Sequence, residues 1–126
     1  MGMILVDTSV WVDHLQHSQT GLINLLRQSQ VMSHPFVVGE LALGNLQQQC
    51  KAVLMSLRGL PAAAVATDEE VLGLIDRHPL HGIGIGYVDA HLLASARLNS
   101  GCSLWTFDKR LQAAAVALGV AYMAIH

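Results

Sequence analysis

Four carboxylates stand where this chain could do chemistry: Asp7 in MILVDTS, Glu40 in HPFVVGELALG, Asp89 in YVDAHLLASARL and Asp108 in LWTFDKRL. Asp7 ends an unbroken apolar run, and Asp108 repeats the pattern with a run, a hydroxyl at Thr106, and then the acid. Carboxylates gathered without compensating Arg or Lys repel one another, so either some take up protons or a cation neutralises them. Oxygen donors with no Cys or His beside them select hard ions such as Mg²⁺ or Mn²⁺. Such an ion also binds phosphate oxygens, activates water and stabilises the charge that grows on a phosphodiester as it is cut. Thr106 would orient Asp108 or a bound water.

Each acid also has an ordinary explanation. Asp7, Thr8 and Ser9 are good N-caps for a helix beginning near Val10. Asp89 in a first helical turn is favoured by the helix dipole, and Glu40 could be a solvated residue on an outer face. The argument for a site is recurrence, because two of these acids follow strands. Short apolar runs at 3–6, 31–33, 62–66, 102–105 and 121–125 read as strands and alternate with helical patterns. That alternation predicts a parallel sheet with helices on both faces. Right-handed crossovers then bring every strand's carboxyl end to one edge, where ligands bind in such folds.

The helices needed to position the acids are legible. VWVDHL begins one, Leu22, Leu25 and Leu26 form the stripe of a second, and His34-Pro35 opens the helix that carries Glu40, with proline in the first turn. Gly39 and Gly44 flank Glu40, and interior glycine costs a helix about 1 kcal/mol, so close packing against the backbone is expected there. A helix over 51–57 closes at Gly59 and Pro61, and Thr67 with Glu70 forms a capping box that assigns Asp68, Glu69 and Glu70 to helix stability. PLHGIGIG lacks the spacing of a phosphate-binding loop and reads as a flexible or close-packed entry to the next helix. YVDAHLLASARL is apolar almost all round and should be buried, with His91 on a different face from Asp89, serving packing or a partner contact. Leu111, Ala114, Ala115 and Leu118 form a last stripe closed by Gly119.

Composition bounds the rest. The 126 residues form one domain, 1–126, large enough to bury a core without disulfides or a structural metal. The chain is 52% hydrophobic and only 13% charged, too few charges to cover the surface of an average domain, so a partner is expected over part of it. No apolar run is long enough to cross a bilayer and no basic leader precedes one, so a cytoplasmic protein without a membrane partner is expected. Cys50 and Cys102 have no ligand spacing and read as buried thiols. A net charge of −2 excludes nucleic-acid binding by bulk charge, so any such binding must be local. The seven histidines include no helical metal pair and give no zinc signal.

LVDTSVWVD, HPFVVGELALG, GIGYVDAHLLASA and LWTFDKRL, in that order, resemble the motifs of PIN-domain ribonucleases, specifically the VapC-type toxins of bacterial toxin–antitoxin pairs. The resemblance implies a PIN-like three-layer α/β/α sandwich with a mostly parallel sheet. It implies an Mg²⁺- or Mn²⁺-dependent endoribonuclease whose acidic site maps onto Asp7, Glu40, Asp89 and Asp108, with Thr106 as an accessory hydroxyl. It also implies a VapB-like antitoxin, an RNA substrate, a homodimer and no small-molecule cofactor. Ile83 departs from similar sequences, which often have Arg or Lys just before Gly-Ile-Gly. Two other readings compete: a PIN-like module that binds RNA or a partner without cutting, and a phosphoryl-transferring receiver or phosphatase, for which Asp7 lacks the usual neighbouring carboxylate.

Overall fold

Met3–Val6 (β1) is extended because its four apolar side chains have helices to bury against on both sides of the sheet: Leu5 and Val6 are wholly inaccessible and Ile4 nearly so. The computed structural model describes residues 2–44 and 50–123. β1 pairs in parallel with Val31–Met32 (β2) on one side and with Cys102–Trp105 (β3) on the other, in the order β2-β1-β3. The register sets Ile4 beside Val31 and Val6 beside Trp105.

The outer strands expected at 62–66 and 121–125 are reduced to single parallel bridges, Ser33 with Ala62 and Leu104 with Ala121. Residues 124 and 125 of the latter lie outside the described residues. Ala63 donates to Ser33 O at 2.8 Å and Tyr122 to Leu104 O at 2.9 Å. Among the described residues the pairing is therefore present but too short to form ladders. Short edges of this kind offer little unpaired backbone to another chain.

Helices Thr8–His17 (α1), Thr20–Arg27 (α2), Pro35–Leu43 (α3) and Cys50–Arg58 (α4) connect β1 through β2 to the Ala62 segment. Asp68–Arg77 (α5) and Tyr87–Leu98 (α6) lead back across to β3, and Lys109–Ala117 (α7) leads on to Ala121. The chain thus steps outward from β1 in one direction, then crosses over and steps outward in the other. With right-handed crossovers, α1 to α4 fall on one face and α5 to α7 on the other. The contacts agree, with α1 on α3, α3 on α4, α5 on α6 and α6 on β3. The reversal of direction lies between β1 and β3, and the crevice beyond their carboxyl ends is the expected ligand site of such a sheet.

α6 is central: Ala90 to Ala96 are all buried. α5 opens with the expected capping box, Thr67 and Glu70 exchanging hydrogen bonds of 2.9 and 3.1 Å. Around Glu40 the glycine expectation is corrected. A Cβ on Gly39 would meet nothing within 4 Å among the described residues, and Gly44 is the C-cap of α3, donating to Glu40 O and Leu41 O. One glycine is solvent-facing and the other is a stop. Cys102 is a buried thiol, as expected, whereas the expectation for the Cys50 side chain falls outside the described residues.

Candidate acidic site

Asp7 occupies the N-cap position of α1, yet its side chain caps nothing. The ordinary explanation fails at this residue. Its Oδ2 instead accepts two hydroxyl protons, from Ser9 Oγ at 2.7 Å and from Thr106 Oγ1 at 2.8 Å. Each hydroxyl in turn accepts from an amide of the segment after β3, Ser9 from Phe107 N and Thr106 from Asp108 N, both at 3.0 Å. A hydroxyl has one proton to give, and both are committed to Asp7, so the 3.3 Å contact between Ser9 and Thr106 is a close approach without a donor. This chain of bonds fastens the end of β1 to the end of β3. Thr106 therefore gives its proton to the Asp7 carboxylate and accepts from the Asp108 amide, where the sequence led us to expect it to orient Asp108 or a bound water.

The other acids are held differently. Asp108 is a true N-cap, its Oδ1 accepting from Arg110 N at 2.9 Å and Leu111 N at 3.1 Å. Asp89, in the first turn of α6, accepts from Gly86 N through Oδ2 at 3.1 Å. Glu40, exposed in the last turns of α3, accepts from Thr8 Oγ1 through Oε1 at 2.7 Å. Sequence reasoning took Thr8 and Ser9 for helix caps and missed both contacts. The repeated pattern of an acid two residues from a hydroxyl, in Asp7 with Ser9 and Thr106 with Asp108, was the available signal.

In every case one carboxylate oxygen takes all the internal bonds and the other has no hydrogen-bond partner among the described residues. Asp7 is only 5% exposed, but neither it nor Asp89 contributes to the sealed, partnerless polar atoms, so the spare oxygens of both reach solvent. Burial pushes the Asp89 carboxyl above its ordinary value. The Gly86 amide opposes this, and the negative charges of Asp7, Asp108 and Glu40 raise it further. Asp7, Asp108 and Glu40 thus each lie within electrostatic reach of Asp89. The ion pairs among the described residues, His17 with Asp13 and His91 with Asp68, involve none of the four.

These donors fit a hard divalent ion in kind and in charge. Among the described residues no three acid, His or Cys side chains are drawn together as a closed metal cage. Mg²⁺ does not require one, because it keeps several waters and is commonly held by one or two carboxylates together with substrate phosphates.

Behind the acids lies a histidine pair. His34, fully buried, accepts from Phe36 N through Nδ1 at 3.0 Å and so caps α3, the helix of Glu40. Its Nε2 must then carry the proton and donates to Ser95 Oγ of α6 at 3.0 Å. Burial, with some repulsion from His91, lowers His34 to about 4. His91 packs against the rings of Phe36 and Tyr87 and lies 3.6 Å from Asp68, which also accepts from Tyr87 Oη at 2.9 Å. The packing role expected for His91 is the one observed.

Comparison with known proteins agrees with this architecture. A family model described as PIN domain matches residues 4–117. Ribonuclease VapC32 from two strains of Mycobacterium tuberculosis is 49% identical over 119 residues, covering 94% of this chain and 95% of the relative. The crystal structure of PAE2754 from Pyrobaculum aerophilum superimposes with a TM-score of 0.59 at 19% identity, covering 89% of this chain and 78% of that one. At that identity the structural likeness speaks for the fold alone.

Proposed function

This chain belongs to the PIN-domain family, among its VapC-type ribonucleases, and on that premise we propose that it is a metal-dependent endoribonuclease, the toxin of a VapBC-type pair. Its site is Asp7, Glu40, Asp89 and Asp108, supported by Thr106. The observation that carries the reading is the set of four spare carboxylate oxygens, one from each acid, on side chains close enough for three of them to raise the proton affinity of the fourth.

Bound Mg²⁺ or Mn²⁺ would supply a nucleophilic water at neutral pH and charge neutralisation at the scissile phosphate. The chain's own residues prepare for this. Ser9 and Thr106 fix one oxygen of Asp7 and leave the other to bind the ion. The Asp108 and Asp89 carboxylates are oriented by helix-start amides. Glu40, exposed and, among the described residues, tethered only through Thr8, is the acid best placed to accept a proton from an attacking water.

The reading extends to partners. Leu43, Met55, Leu72, Leu98 and Val116 are large apolar side chains left exposed, consistent with a homodimer and with burial by a VapB-like antitoxin. No helix among the described residues is long and apolar enough to cross a membrane, which fits a cytoplasmic site of action. One domain, 1–126, carries the whole activity. The test is cleavage of single-stranded RNA with Mg²⁺ or Mn²⁺ present. Asp7→Asn should abolish it while circular dichroism and a dimer mass by light scattering stay unchanged, and equal cleavage by variant and parent would remove the proposal.

A further inference from the structure

The side chain of Arg110 lies across the backbone of Gly84: a Cβ built on that glycine would stand 2.6 Å from Nη1 and 2.9 Å from Cδ. Gly84 also has φ +86°, so glycine is favoured there by conformation and by the guanidinium above it. Both contacts of this arginine lead to the acidic site. Its amide is held by Asp108 Oδ1 at 2.9 Å, and Gly84 lies two residues before Gly86, whose amide holds Asp89 at 3.1 Å. The backbone of Arg110 thus adjoins Asp108, and its guanidinium lies over the loop that leads into α6 and Asp89.

Nothing in the fold accounts for a cation at this position. Arg110 is exposed and makes no ion pair among the described residues. The groove that it lines with Pro79, Leu80, Ile83 and Ala113 has no carboxylate in its walls. The first turn of a helix disfavours positive charge, so Arg110 does not serve α7. The chain as a whole is anionic, with net charge −2, and would repel a polyanion unless a local cation received it.

We propose that Arg110 binds a phosphate of the RNA strand next to the scissile bond, and so holds the substrate against an edge that otherwise repels it. This rests on the ribonuclease reading above. A planar guanidinium suits the task because its fork of donors matches two phosphate oxygens.

The experiment measures binding of a fluorescein-labelled single-stranded RNA by anisotropy across a salt series in EDTA, with KM and kcat for cleavage measured separately in Mg²⁺. Arg110→Gln should weaken binding and raise KM about tenfold, the loss of a charge-assisted contact, with kcat little changed. The slope of log K against log salt should flatten by about 0.7, the value for one phosphate contact on a single strand. Arg110→Lys should restore the slope. Arg27→Gln, at the end of α2 that leads into β2 and hence at the opposite edge of the sheet, should change neither quantity.

If Arg110→Gln binds with the parent's affinity and slope while the parent cuts RNA, the proposal is overturned and the ribonuclease reading stands. If the slope depends on Arg110 but the parent cuts nothing, the phosphate contact stands, while the ribonuclease reading and the placement beside a scissile bond both fall. A parent that neither binds nor cuts overturns both.

Discussion

Asp7 has two hydroxyl protons aimed at one oxygen and, among the described residues, none at the other, an asymmetry that suits the metal ligand proposed for it. A carboxylate that only capped a helix would spend its oxygens on amides, as Asp108 does with Oδ1. Thr106→Val keeps the shape but leaves Oδ2 with one donor and Asp108 N without its acceptor. Loss of a bond that orients a metal ligand commonly costs about 10–100-fold in activity, and that fall is expected in kcat, with the far-ultraviolet spectrum unchanged. The four acids were legible in the sequence because acids after apolar runs recur. The hydroxyl network was not, since Ser9 and Thr106 are 97 residues apart and nothing local reveals which acid a hydroxyl will reach.

At the scale of elements, His34 joins the helix of Glu40 to the helix of Asp89, capping α3 with one nitrogen and bonding Ser95 of α6 with the other. Its folded value of about 4 lies below the ordinary 6.5, so between those values the unfolded chain takes up a proton that the fold refuses. Stability therefore falls as pH drops from about 6.5 to about 4. His34→Asn retains a capping side chain but not the titration. Its unfolding midpoint in urea should lie below the parent's at pH 7 and change less than the parent's between pH 7 and pH 5. The sequence revealed this helix start through Pro35 but not the buried role of His34, because a histidine before proline carries no sign of what lies across the core. The same limit applies to the outer strands. Their apolar character was visible, while their reduction to single bridges depends on how far Pro61 and Ala121 run beside their neighbours.

For the whole molecule, the topology does the assembling. Stepping out from β1 on both sides places the ends of β1 and β3 side by side at the reversal, and acids from four separate parts of the chain share that edge. Their mutual repulsion has a thermodynamic consequence. Asp89 is raised above its unfolded value, so its contribution to stability is full at low pH and is lost as pH rises through the folded value. The ion-free protein therefore carries a standing cost at neutral pH, which a divalent ion bound to the folded state alone would offset. The most direct test is the thermal unfolding midpoint at pH 7 with and without Mn²⁺, for the parent and for Asp89→Asn. The account predicts that the variant starts higher than the parent in the absence of ion, and that Mn²⁺ raises the parent and leaves the variant nearly unmoved. A parent midpoint indifferent to Mn²⁺, or a variant that responds as strongly, would contradict it.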